Sequence, residues 1–102
     1  MHVIKSKRIL EYCDEYPEAS QALLTWYQFV KRVRWEKPPD VREFSNSVDF
    51  IEDARVVFNI NGNHYRLIVD IYYASGEKNG TVLIRWFGTH KEYDRINVRL
   101  VK

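Results

Sequence analysis

The stretch "RWFGTHKEYDRI", Arg85 to Ile96, places an arginine, a histidine, a lysine, a glutamate, a tyrosine and an aspartate within ten positions. These side chains move protons or hold anions. Histidine and tyrosine suit general acid–base work, and the planar fork of arginine donors matches a phosphate. Thr89 stands three residues ahead of Glu92, the spacing of a capping box. A helix is therefore predicted to start at His90, after a turn that Gly88 permits. The Glu92 carboxylate is then occupied by the Thr89 N–H, which removes it from the candidate acids. His90 and Tyr93, three apart, share a helix face, and Asp94, four after His90, can pair with it. The first turn of a helix disfavours a protonated imidazole and leaves N–H groups free for an anion. Taken alone, His90 reads more simply as a surface histidine; its company, Tyr93 and Arg85, makes it a candidate. A metal site built from His90, Asp94 and His64 is a weaker reading, because the spacing positions no further ligand.

These residues need elements to hold them. "RVVFNI", "HYRLIVDIYY" and "TVLIRWFG" read as three strands of a meander. Asn61-Gly62 marks the first connection, a tight hairpin that needs positive φ at its central residues, and "SGEKNG" marks the second. Alternation puts Tyr65, Leu67, Val69, Ile71 and Tyr73 on one face, with His64, Arg66, Ile68, Asp70 and Tyr72 on the other. In the third strand it puts Val82, Ile84 and Trp86 toward the core and Leu83, Arg85 and Phe87 away from it. Arg66 and Arg85 are then expected together on the sheet face opposite the core.

The first half reads as helices after a short apolar opening, "HVI", that suits a strand. Ile9, Leu10, Cys13 and Tyr16 recur at helical spacing, with Ser6 as a candidate cap. Pro17 ends that helix and opens another, whose stripe is Ala19, Ala22, Leu23, Trp26, Val30 and Val33. The two helices are expected to pack as an antiparallel pair. Pro38 and Pro39 forbid the second helix from continuing, so "WEKPPDVREFSNSVDFIEDA" is expected to be an extended connection anchored by Trp35, Phe44 and Phe50. The expected architecture is α+β: two N-terminal helices on one face of a small antiparallel sheet, with a short C-terminal helix.

The 102 residues fit one domain, 1–102, with one core. The single cysteine, Cys13, excludes an internal disulfide and any Cys-rich zinc motif. No apolar run approaches the ~20 residues of a membrane span, and the start lacks the apolar core of a secretory signal. A cytoplasmic protein with no membrane partner is expected. The net charge is only +2, but basic residues gather between Lys31 and Arg42 and between Arg85 and Lys102. That distribution suits a polyanion better than the total does.

The chain resembles the HigB-type toxins of the RelE superfamily. The resemblance is carried by "VVFNINGNHYRLIVDIYY" and "IRWFGTHKEYDRI", supported by "MHVI", the tryptophan and "KPPDV" of the middle region, and the length. It implies a RelE-like fold and a toxin of a type II toxin–antitoxin pair that cuts messenger RNA, typically on the ribosome, and halts translation. The implied partners are a HigA-type helix-turn-helix antitoxin, mRNA and the ribosome. The reaction needs no metal or cofactor: a 2′-hydroxyl attacks the adjacent phosphate. The family's arginines on central strands and its tyrosine or histidine near the C-terminus fall on Arg66, Arg85, His90 and Tyr93. Arg66 and Arg85 are expected to hold the phosphate. His90 is the candidate base or acid, and Tyr93 the other proton carrier or a stacking platform. Lys91 is expected to touch phosphate, and Lys37 and Arg55 to line the path of the RNA. The alternative is a non-catalytic RNA- or ribosome-binding module on the same fold, with aromatics such as Trp35 and Tyr72 stacking bases.

Overall fold

Asn61 and Gly62 both take left-handed backbone conformations, with φ of 57° and 67°, and turn the chain between two antiparallel strands. In the computed structural model, which describes Met1–Lys102, this hairpin joins β3 (Arg55–Ile60) to β4 (Tyr65–Tyr72). β5 (Thr81–Thr89) pairs antiparallel with β4 on its other side. β2 (Asp49–Glu52) adds an antiparallel edge to β3, and β1 (His2–Ile4) pairs with β5 in parallel. The sheet is thus five-stranded and mixed, in the order β1-β5-β4-β3-β2, and the wholly antiparallel sheet expected from the meander is corrected at that edge. β1 leaves into a helix before it returns, so its pairing with β5 is not bound to the hairpin direction.

Four helices accompany the sheet: α1 (Lys7–Glu15), α2 (Ser20–Val30), α3 (Pro38–Phe44) and the single turn α4 (His90–Tyr93). Pro17 ends α1, and a 3-10 turn over Pro17–Ala19 leads into α2. Ser6 does not cap α1 through its side chain. The expected extended connection is corrected by α3. Pro38 and Pro39 occupy its first turn, where a missing N–H costs nothing. The Asp40 carboxylate accepts the N–H groups of Glu36 and Lys37 at 2.9 and 3.3 Å. α2 has already ended at Val30, well before these prolines, and they start another helix instead of holding the chain extended.

One hydrophobic cluster joins Ile9 of α1, Leu23, Trp26 and Val30 of α2 and Val41 of α3 to the inward residues of the sheet, among them Val56, Phe58, Tyr65, Leu67, Val69, Val82 and Ile84. Trp35 belongs to it and is only 3% exposed, which removes it as a stacking platform for bases. Alternation along β5 breaks at a bulge. Ile68 faces Trp86 and Val69 faces Ile84, so Arg85 has no partner across the ladder. An extra residue in one strand shifts every later side chain by one place. Beyond the bulge Phe87, not Trp86, enters the core, where its ring stacks on Tyr65 at 5.3 Å. Trp86 turns to the opposite face beside Arg85, correcting its expected place on the core side.

Candidate active site

α4 begins where β5 ends, and its start has the geometry its sequence requires. Thr89 Oγ1 accepts the Glu92 N–H at 3.1 Å, and Glu92 Oε1 accepts the Thr89 N–H at 2.8 Å. The Tyr16 hydroxyl donates to the same Oε1 at 2.9 Å, tying α4 to the end of α1. The bond from the Thr89 backbone leads the effects that hold the Glu92 carboxyl below the usual carboxylate range. Burial and the adjacent Glu92 carboxylate both push the Tyr16 phenol upward. Glu92 is thus a structural carboxylate, and α4 is fixed at its first turn although it is only one turn long.

Gly88 does not turn the chain; its backbone continues the strand. Its function is close packing: a Cβ there would lie 2.6 Å from the Trp86 ring and 3.0 Å from Glu92 Oε1. The indole of Trp86 therefore covers Gly88 and meets the Tyr93 ring at a centroid distance of 6.3 Å. The Arg66 guanidinium sits 5.9 Å from the same Tyr93 ring. Burial is the main cause that raises the Tyr93 phenol, with Asp49 adding to it and Arg66 opposing it.

His90 and Lys91 line an open cleft of about 640 Å³ at the hairpin end of the sheet, together with Glu18, Asn61, Asn63 and His64. The His90 N–H donates to the His64 carbonyl at 2.9 Å, which seats α4 against the hairpin. His90 Nδ1 lies 3.5 Å from Asp94 Oδ1. The structure thus brings Arg66, His90, Lys91 and Tyr93 to one end of the sheet, on adjoining faces of α4. Asn63 joins the two faces, since it lines the cleft and also binds Arg66. Sequence reasoning missed Asn63; its place in the loop after Asn61-Gly62 marked a turn and nothing more.

The remaining candidates lie apart. Arg55 is mostly buried, its side chain 12% exposed. Its Nε and Nη2 donate to Asp70 at 2.7 and 3.2 Å, and Nη1 donates to the carbonyls of Val98 and Val101. It pins the C-terminal segment to the sheet, so the expected place on an RNA path is corrected. Arg85 also binds Asp70, through Nε at 2.7 Å, and keeps its other two nitrogens uncommitted. Burial raises the Asp70 carboxyl, but the hydrogen bonds and charges of the two arginines outweigh it and hold the group below its ordinary value. Lys37 lies toward the other end of the sheet: Trp35, two residues before it, accepts the Ala74 N–H beyond the far end of β4. β4 separates that point from the cleft by roughly 23 Å at strand rise. No three His, Cys, Asp or Glu side chains come together in a set fit for a metal ion.

Comparison with known proteins identifies the family. A family model described as HigB toxin, RelE-like toxic component of a toxin–antitoxin system, matches residues 19–96. The mRNA interferase toxin HigB of Escherichia coli strain K12 is 28% identical over 96 residues, covering 92% of this chain and 88% of that protein. The mRNA interferase HigB of Shigella flexneri matches to the same extent. That of Escherichia coli O6:H1 strain CFT073 is 26% identical over 98 residues, covering 94% of this chain and 91% of its own. The chain belongs to the HigB toxin family, the RelE-like toxic components of toxin–antitoxin systems.

Proposed function

We propose that this chain is an endoribonuclease that cleaves messenger RNA, on translating ribosomes in the cytoplasm, and that a HigA-type helix-turn-helix antitoxin restrains it. Its layering is read as RelE-like, with the N-terminal helices on the face opposite the chemistry. The observation that carries the reading is the one-turn helix α4, which sets His90 on an open cleft and Tyr93 beside Arg66.

In this reading His90 is the base. It takes the proton of a 2′-hydroxyl, whose oxygen attacks the neighbouring phosphorus. The P–O5′ bond breaks, and the departing 5′-oxygen takes the Tyr93 phenolic proton. The products are a 2′,3′-cyclic phosphate and a free 5′-hydroxyl, with His90 left protonated and Tyr93 ionised until solvent resets both. The raised phenol supports assigning Tyr93 as acid, since it is protonated at neutral pH. Arg66 and Lys91 face the phosphate, where fixed cations stabilise the charge that builds in the transition state. Arg85 adds its uncommitted nitrogens from deeper in the sheet. No step requires a metal ion.

Primer extension on cellular mRNA after induction tests the reading. New 5′ ends that disappear in His90→Ala, and that form in a cell-free translation mixture containing EDTA-treated toxin, are expected. RNA binding with no new 5′ ends would replace this reading with a non-catalytic RNA- or ribosome-binding module.

A further inference from the structure

We infer that Asn63 is a positioning residue that orients Arg66 toward phosphate without spending its charge; this rests on the reading of Arg66 as a phosphate contact. Asn63 Oδ1 accepts Arg66 Nη2 at 2.9 Å, and the Asn63 backbone carbonyl accepts Nη1 at 3.0 Å. The Tyr65 carbonyl accepts Nη1 at 3.2 Å. Three neutral oxygens hold one guanidinium. A guanidinium has only donors, so the amide oxygen, not its nitrogen, must face Arg66.

The left-handed residues Asn61 and Gly62 explain why one residue supplies two of these acceptors. They fold the loop back, so the side chain and the carbonyl of Asn63 reach the same guanidinium three residues on. Asn63 also lines the cleft that holds His90 and Lys91. It lies next to His64, whose carbonyl accepts the His90 N–H at 2.9 Å, so the loop that holds Arg66 also seats α4.

The contrast with Arg85 and Arg55 gives the arrangement its meaning. Those two arginines share the carboxylate of Asp70, which fixes them and offsets their charge. No carboxylate lies within ion-pair distance of Arg66, whose anchoring is entirely neutral. An arginine that brings its whole charge to a phosphate must be held still by groups that carry none, whereas Arg85 brings only what Asp70 leaves uncompensated. An amide satisfies both requirements, and an aspartate of the same shape satisfies only the first.

Asn63→Asp therefore separates positioning from mere support of the fold. The probe is a short single-stranded RNA oligonucleotide, 2′-O-methylated so that it cannot be cut by 2′-hydroxyl attack, read by fluorescence anisotropy with the full chain. Asn63→Asp should weaken binding about tenfold, and the slope of log affinity against log salt should become shallower by about 0.7, the value of one contact to a single-stranded phosphate. In an Arg66→Ala background the same substitution should change affinity little, and its melting temperature should match or exceed the parent's. Equal loss in both backgrounds, or a lowered melting temperature for Asn63→Asp, would overturn the inference. The oligonucleotide cannot be cut, so these outcomes stand whether or not the parent generates new 5′ ends; failure to cleave sinks the nuclease reading alone. In cleavage of mRNA, Asn63→Ala should lower the rate by up to about 100-fold, as a misplaced catalytic contact does, and should add nothing to Arg66→Ala.

Discussion

The Nε of Arg85 donates to Asp70 Oδ2 at 2.7 Å, so an arginine of the outer sheet face is anchored to a carboxylate that is itself almost inaccessible. Arg55 donates to both Asp70 oxygens, through Nε to Oδ1 and Nη2 to Oδ2, and reaches on to the C-terminal carbonyls. Two cations on one buried anion form a structural unit, and its removal should be felt as lost stability before it is felt as lost chemistry.

Asp70→Ala leaves two guanidinium groups facing each other with no anion between them. Breaking a buried pair by removing one partner costs about 3–5 kcal/mol, and the side chain of Asp70 is only 7% exposed. Urea denaturation should show a loss of that order, with the C-terminal segment more open to proteolysis because Arg55 no longer holds it in place. A loss below about 1 kcal/mol would mean that the triad contributes little.

The same carboxyl has a pH signature. Its value in the folded state is lowered, so its contribution is complete above the unfolded value of about 3.9 and is lost as pH falls through the lowered folded value. The stability gap between the parent and Asp70→Asn should be constant near neutrality and shrink below about pH 4. A gap that is unchanged into stronger acid would show that the ionised carboxylate is not what Arg55 and Arg85 recognise.

The bulge in β5 makes opposite demands on two adjacent aromatics. Phe87 is 3% exposed and stacked in the core, so Phe87→Ala should cost about 3–5 kcal/mol. Trp86 is only partly buried and supports Tyr93 from the other face. Trp86→Ala should cost less stability and more activity. Melting curves and cleavage rates measured on both variants decide this; strict alternation along β5 would reverse the order.

That bulge also shows where the sequence stopped being legible. The inner face of β4 and the stripe Ala19, Leu23, Trp26 and Val30 follow from periodicity, because burial rewards one face of a strand or helix and leaves the pattern in the residue types. The capping box of Thr89 and Glu92 follows from local chemistry in the same way. A bulge leaves no such mark: Trp86 and Phe87 are both apolar, and only the partner strand decides which of them turns inward. Pro38 and Pro39 signal a boundary equally well whether a helix ends or begins, so α3 was not distinguishable from an extended segment. His90, Tyr93 and Arg66 could be picked out as candidates by residue type, whereas the burial of Arg55 depends on Asp70 and a C-terminal segment far away in sequence. The distance of Lys37 from the cleft was hidden for a similar reason, since charge gives no position along a strand.

Gly88 is expected to be intolerant of a single methyl group. A Cβ there would meet the Trp86 ring at 2.6 Å, and overpacking of this kind typically costs about 1–3 kcal/mol. Gly88→Ala should also push Trp86 away from Tyr93, seen as a change in Trp86 fluorescence in a variant whose Trp26 and Trp35 are replaced by phenylalanine. Wild-type emission together with wild-type stability would mean that the indole does not lie over this glycine.

The division of labour within α4 can be read from kinetics. His90 is half-exposed and bonded only loosely to Asp94, so His90→Gln should leave the melting temperature nearly unchanged. The cleavage rate should fall by about 10²–10⁴, the range for a lost proton-transfer group. Tyr93 differs in its environment. Burial raises its phenol above the ordinary value of about 10, so it stays protonated from about pH 6 to about pH 9 and acts as a donor throughout. Tyr93→Phe should therefore lower the rate by a factor that is constant across that range, with RNA affinity nearly kept because the ring still packs against Trp86 and under Arg66. A deficit that grew or shrank steadily with pH would mean that an ionised tyrosine does the work, and the roles assigned to His90 and Tyr93 would have to be exchanged.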